Sequence, residues 1–173
     1  GTGVARDAAG RGLKVALLEQ GDLASGTSSA STKLIHGGLR YLEFYAFALV
    51  RKALAEREVI LANAPHIARP LPFLLPVAAG ERPAWMIGAG LFLYDHLAKR
   101  REVPASQGLM LQEDAAGPAF RADLKRAFRY WDGWIDDARL VVLNAMDAAA
   151  RGAQIFTREA AASARRTDFG WEV

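Results

Sequence analysis

Residues 1–19 limit what this chain can fold into more than any other stretch. Gly1, Gly3, Ala5, Ala8, Ala9 and Gly12 put small side chains at helical spacing, and Gly12 marks the stop. Side chains of that size let a helix lie close against a sheet. Residues 13–18 (Leu-Lys-Val-Ala-Leu-Leu) then predict a short apolar strand buried on both faces, and it ends in Glu19. Small-residue helix, strand and terminal acid make the last two-thirds of a βαβ unit of the dinucleotide-binding kind. Gly1 would be the third glycine of G-x-G-x-x-G, and the spacing from Gly1 to Glu19 suits an acid that accepts from a ribose hydroxyl. A generic helix–strand pair closing on a chance acid reads the same way.

The run 26–41 bears on that choice. It holds Thr27, Ser28, Ser29, Ser31, Thr32, Lys33, His36, the pair Gly37-Gly38, Arg40 and Tyr41. Hydroxyls and bare amides can cradle an anion, and glycines let backbone approach a flat ligand. A polar surface loop has a similar composition. In an open α/β sheet, however, ligands sit at the carboxyl ends of strands. A loop leaving the Glu19 strand is placed to continue along the same dinucleotide.

Downstream, residues 41–64 predict a helix with Val50, Leu54 and Leu61 on one stripe, Lys52 paired with Glu56, and a solvated charged face. Pro65 closes it, and His66 falls in a loop. Residues 69–77, bracketed by prolines, predict an edge or first strand. Residues 85–97 are mostly apolar but too short, and too interrupted by Asp95 and His96, to span a bilayer. They suit either a helix buried in a second domain or one lying on a membrane, with Trp85 and Lys99-Arg100-Arg101 at headgroup level. His96 is read as structural. Residues 103–123 read as loop and short helix. Residues 126–135, with Phe128, Tyr130 and Trp134, predict a strand that forms a wall. Asp136 is an N-cap for a helix over 137–150 that stops at Gly152. Strands follow at 154–157, at 160–166 and from Gly170, with a turn at 167–168. The implied organisation is a first segment 1–68, an inserted segment 69–135, and a return over 136–173.

Composition removes several chemistries. There is no cysteine, so disulfides, thiolate zinc sites and cysteine catalysis are excluded. His36, His66 and His96 show no metal-ligand spacing, and no metal is expected. With 51% hydrophobic and 24% charged residues the chain reads as globular, and a net charge of +3 with scattered arginines does not indicate a nucleic-acid partner. Gly1 falls inside a motif and Trp171-Glu172-Val173 inside a strand pattern, so the chain is expected to be part of a longer protein.

Several blocks then coincide with one family. Gly1, Gly3, Ala5, Asp7, Arg11 and Gly12 satisfy the tail of its fingerprint G-x-G-x-A-x-D-x-x-x-R-G. Residues 27–31 and 33–43, 82–87 (Arg-Pro-Ala-Trp-Met-Ile), 94–97 (Tyr-Asp-His-Leu) and 134–140 (Trp-Ile-Asp-Asp-Ala-Arg-Leu) follow in its order. On these the chain resembles the FAD-dependent, quinone-linked glycerol-3-phosphate dehydrogenases, as an amino-terminal fragment. The resemblance implies an α/β fold: an FAD-binding Rossmann-like domain of the glutathione-reductase type lacking its first strand, with part of an α+β substrate or cap domain. It implies FAD held by Gly1, Gly3, Glu19, Gln20, Thr27, Ser28, Ser31, Lys33 and Leu34. Arg40 and Tyr41 would face the substrate, with His36 in the same turn as either the base or a flavin-orienting residue. The implied reaction oxidises glycerol 3-phosphate to dihydroxyacetone phosphate and passes electrons to quinone. An oxygen-using oxidase, or a module inactive by itself, is the alternative. The implied location is cytoplasmic, peripheral on the inner face of the cell membrane, with a homodimer left open.

Overall fold

The computed structural model describes residues 1–80 and 82–173. The small residues of the amino terminus form α1 (Thr2–Gly10), followed by β1 (Ala16–Glu19). β1 pairs in parallel with β6 (Gln154–Thr157), from Ala16 opposite Gln154 to Glu19 opposite Thr157. Between them in sequence comes α5 (Asp137–Ala150), where Asp136 caps the helix by accepting from the Arg139 amide at 3.1 Å. Ala5 and Ala9 of α1, one turn apart, meet Ala148 and Ala153, with Val15, Leu17 and Ile155 packed on them. β1 departs from the expected strand: it starts at Ala16, leaves Leu13 exposed, and is not buried on both faces. Its one strand partner among the described residues is β6, and Leu17 joins the alanine core while Leu18, pointing the other way, does not. β7 (Arg165–Thr167) and β8 (Gly170–Glu172) form an exposed hairpin, β7 starting later than the expected 160.

These pieces, Gly1–Lys33 and Asp136–Val173, make one compact unit, and Leu34–Ile135 makes the other. The expected first boundary at 68 is therefore moved to 33. The reason is pairing: β2 (Leu34–Ile35) is hydrogen-bonded to β5 (Arg126–Ile135), and α3 (Phe47–Asn63) packs on β3 (Ala68–Pro76).

β5 is the spine of the second unit. β3 pairs with it antiparallel from Ala68 opposite Ile135 to Pro76 opposite Ala127. β2 and β4 (Gln107–Met110) share its other edge. The prolines explain why β3 ends the sheet. The Val77 amide donates to the Arg126 carbonyl at 2.9 Å, so odd-numbered amides face β5. Pro70, Pro72 and Pro76, at even positions, lack an N–H only where the edge is free. The helix expected from Tyr41 is interrupted instead. Residues 39–44 form a 3-10 turn, Tyr45 takes a left-handed φ of 55°, and α3 starts at Phe47. A single helical turn, α2 (Thr27–Ala30), also sits in the expected loop. α3 buries Val50, Leu54 and Leu61 as its stripe requires, but Arg57 and Glu58 are buried too. α4 (Ala84–His96) buries Leu91 and Tyr94 while Trp85 is 71% and Phe92 66% exposed, so it is not a fully buried helix.

Candidate functional site

The first unit carries the dinucleotide-type features. α1 begins with no acidic residue in its first turn and no side-chain cap, so its leading amides stay available to an anion. A Cβ added at Gly1, Gly3 or Gly26 would meet nothing within 4 Å. Protein packing among the described residues does not demand these glycines. Glu19 ends β1 half-buried; its Oε1 accepts from the Gly21 amide at 2.8 Å, and among the described residues no cation pairs with it. Gln20 beside it is exposed. The Thr27 and Ser28 hydroxyls make no hydrogen bond within the protein among the described residues. This donor set suits a pyrophosphate and a ribose, and so fits FAD.

The loop beyond is held differently. The Ser31 hydroxyl donates to Asp137, the Lys33 amide donates to the Ser31 hydroxyl at 3.0 Å, and the Lys33 ammonium bridges Asp137 and the Ser28 carbonyl. Lys33 adopts a left-handed φ of 60°, unusual for a residue with a side chain. Partial burial works against ionisation of Asp137, but the donors from Lys33 and Ser31 outweigh it and hold the carboxyl below its ordinary value. The polar ends of Ser31 and Lys33 are thus committed to Asp137, at the start of α5.

The second unit contains a cavity of about 520 Å³ whose lining includes Leu34, His36, Arg40, Tyr41, Phe73, Tyr130 and Asp132. His36, Arg40 and Tyr41 come together here, all exposed. Two conformational features place them. Gly38 has φ +73°, and the Tyr41 amide donates to its carbonyl at 2.8 Å, closing a tight turn. Nearby, Arg82 pairs with Glu43 at 2.6 Å, and that hydrogen bond holds the Glu43 carboxyl below its ordinary value. Arg40 has no such ion pair among the described residues, which leaves its guanidinium free for an external anion. Phe73 and Tyr130 stack at 5.3 Å in the wall. Leu34 pairs with Trp134 at one end of the sheet.

Sequence reasoning missed Asp132, Arg57, Tyr94 and Asp137. Asp132 is 4% exposed and accepts from Arg57 Nη1 at 2.6 Å and from the Tyr94 hydroxyl at 2.9 Å. Burial pushes its carboxyl up, against the pull of Arg57, Tyr94 and the His36 ring. Burial, and then the adjacent carboxylate, push the Tyr94 hydroxyl up as well. The available signal was a lone acid at position 132 of the strand 126–135, which period-2 alternation puts on the same face as Phe128, Tyr130 and Trp134. His96 is exposed, and its Nδ1 donates to the Phe92 carbonyl at 2.7 Å, a local contact within α4.

A small-residue helix, a strand-end acid and a parallel β1–β6 pair define a dinucleotide-binding α/β protein. The whole chain, residues 1–173, matches the family described as FAD dependent oxidoreductase, and it belongs to that family. It is 60% identical over 173 residues to a glycerol-3-phosphate dehydrogenase of Pseudomonas aeruginosa, covering 100% of this chain and 33% of that protein. It is 57% identical over 173 residues to a D-erythritol 1-phosphate dehydrogenase of Brucella abortus, covering 100% of this chain and 34% of that protein. Its fold is similar to that of a glycerol-3-phosphate dehydrogenase from Bacillus halodurans complexed with FAD, with a TM-score of 0.63 and 29% identity, covering 96% of this chain and 26% of that one. The chain thus spans about a third of the length of the curated relatives it matches.

Proposed function

We propose that the full-length protein uses FAD to oxidise sn-glycerol 3-phosphate to dihydroxyacetone phosphate and passes the electrons to a quinone. What carries the reading is the 60% identity, across the whole chain, with a glycerol-3-phosphate dehydrogenase. In this reading Gly1, Gly3, Glu19 and Gln20 hold the adenosine and pyrophosphate end of FAD, and Thr27 and Ser28 continue along it. Bound FAD supplies the acceptor for the carbinol hydride. Arg40 offers a planar fork to the phosphate or to the developing alkoxide oxygen. Each such charge-assisted hydrogen bond contributes about 1.5–3 kcal/mol. His36 is the candidate acceptor for the hydroxyl proton, by residue type and by its place on the same cavity rim. The Tyr41 hydroxyl is a further hydrogen-bonding group for the polyol.

The same proposal puts the protein on the inner face of the cell membrane. Its support is the exposed Trp85 and Phe92 of α4, followed by Lys99, Arg100 and Arg101. Among the described residues no helix is long and apolar enough to cross a membrane.

Without oxygen, glycerol 3-phosphate should bleach the flavin of the full-length protein and a quinone analogue should restore its absorbance; in a separate assay in air, turnover should form no peroxide. Peroxide would favour the oxidase. Bleaching by D-erythritol 1-phosphate alone would favour the longer polyol phosphate, a second reading suggested by the 57% identity. Arg40→Ala should lower kcat/KM by roughly tenfold or more with an unchanged flavin spectrum. Normal kinetics would remove Arg40 from the site.

A further inference from the structure

We propose that the buried Arg57–Asp132–Tyr94 network positions the turn bearing His36, Arg40 and Tyr41, acting through a hydrogen bond from the Gly37 amide to the Tyr94 hydroxyl. The proposal rests on the reading above for the reaction this turn serves.

The geometry runs from the core to the cavity rim without a gap. Tyr94, 2% exposed, accepts from the Gly37 amide at 2.7 Å and turns its own hydrogen to Asp132 Oδ1 at 2.9 Å. The same oxygen accepts from Arg57 Nη1 at 2.6 Å, and that nitrogen also reaches the Trp131 carbonyl at 3.1 Å. Arg57 Nη2 donates to Glu58 at 3.2 Å. The other Glu58 oxygen accepts the amides of Arg101 at 2.7 Å and Glu102 at 2.8 Å. Asp132 therefore sits between an anchored arginine and a tyrosine whose remaining acceptor site goes to the turn.

Stability alone does not call for this arrangement. Desolvating ions costs several kcal/mol each, and well-packed apolar side chains often serve as well or better. Here one cation and two carboxylates are buried, and Arg57 Nε remains without a partner among the described residues. What the cluster accomplishes is local. Gly37 is pressed against it: an added Cβ would lie 2.5 Å from Leu54 Cδ2 and 2.7 Å from the Tyr94 oxygen. Gly38 then takes its left-handed φ of 73° and sends the chain into the 3-10 turn that carries Arg40 and Tyr41. Asp132 also lines the cavity beside His36 and Arg40. One network fixes both the wall and the rim, so Asp132 and Tyr94 are positioning residues for the groups that meet substrate.

The test uses the full-length holoenzyme carrying Tyr94→Phe, which removes one oxygen and keeps the ring. Deuterium uptake over residues 35–41 should rise while uptake over 47–63 is unchanged. Flavin content per chain should be unchanged, and kcat/KM for glycerol 3-phosphate should fall at least about tenfold, chiefly through kcat. Should that variant not accumulate folded, Asp132→Asn, which weakens the acceptor for both Tyr94 and Arg57, should likewise raise uptake over 35–41 and lower kcat/KM at unchanged flavin content, and decides the question. A lower Tm with unchanged uptake over 35–41 and kcat/KM within about twofold of wild type would overturn the proposal, because the network would then be structural only. Flavin loss in parallel with activity would overturn it too, placing the network at the cofactor. A wild-type flavin that glycerol 3-phosphate does not reduce would refute the assigned reaction, whereas exchange over 35–41 would still decide the positioning role.

Discussion

Glu19 and Asp137 are both acids at the ends of elements in the same unit, yet their surroundings assign them opposite tasks. Glu19 has one amide neighbour, Gly21, and no cation among the described residues. It is an acceptor with capacity to spare for a ribose hydroxyl. Replacing it with alanine should weaken FAD retention by about ten- to a hundredfold, the equivalent of one hydrogen bond to a charged group. Flavin-to-protein ratio after gel filtration measures this, and an unchanged ratio would count against the assignment. Asp137 is satisfied internally by Lys33 and Ser31, and its carboxyl in the folded protein is held below 3.8. Its contribution to stability is thus fully present above that pH and is lost as pH falls through the depressed folded value. Asp137→Asn should lower Tm at neutral pH and flatten the decline of Tm with acid below pH 3.8; a parallel acid decline in both proteins would disprove the linkage. Glu19 could be read from the sequence because strand and acid are adjacent. Asp137 could not, since its partner Lys33 lies 104 positions away and its place beside Asp136 reads as capping.

Elements whose reasons are local were legible, and elements chosen by a distant partner were not. The aromatic alternation of 126–135, the Asp136 cap and the Gly152 stop gave β5 and α5 with the bounds the structure has. β4 offers no alternation of its own; Gln107–Met110 is a strand because β5 has a vacant edge there. The start of α3 was missed because the left-handed Tyr45 leaves no mark in the sequence. The charged face of α3 is expected to be solvated, yet Arg57 and Glu58 are buried, because helix periodicity places charges without knowing which strand they will meet. The α1–α5 interface tests the local reasoning directly. Ala148 is 0% exposed, set against Ala5 and Ala9 where there is no room for a longer side chain. Ala148→Leu should destabilise the unit by about 1–3 kcal/mol through overpacking, whereas the same change at the exposed Ala149 should stay within about 0.5 kcal/mol. Thermal unfolding of the two variants separates them; equal melting would mean that the small side chains are not what seats α1.

At the scale of the whole protein, surface chemistry has to explain where an enzyme of this kind would work. Most exposed apolar residues need no explanation. Trp85 and Phe92 differ because they are large, lie seven positions apart on one helix, and are thereby brought to the same face two turns apart. The basic run at Lys99, Arg100 and Arg101 follows directly. An exposed apolar pair followed by cations offers a membrane both buried apolar area and attraction for anionic headgroups. The two contributions respond to different changes. Salt screens the headgroup attraction over about 10 Å at 0.1 M and leaves the apolar part in place. Trp85→Ser combined with Phe92→Ser should remove the apolar part and leave the charge unchanged. Full-length protein should therefore sediment with anionic vesicles at low salt and partly release as salt rises. The double variant should bind at least roughly tenfold more weakly under both conditions, with its flavin content unchanged. Equal sedimentation of variant and parent would exclude α4 as the contact, and failure of the parent to bind at low salt would exclude the membrane location itself.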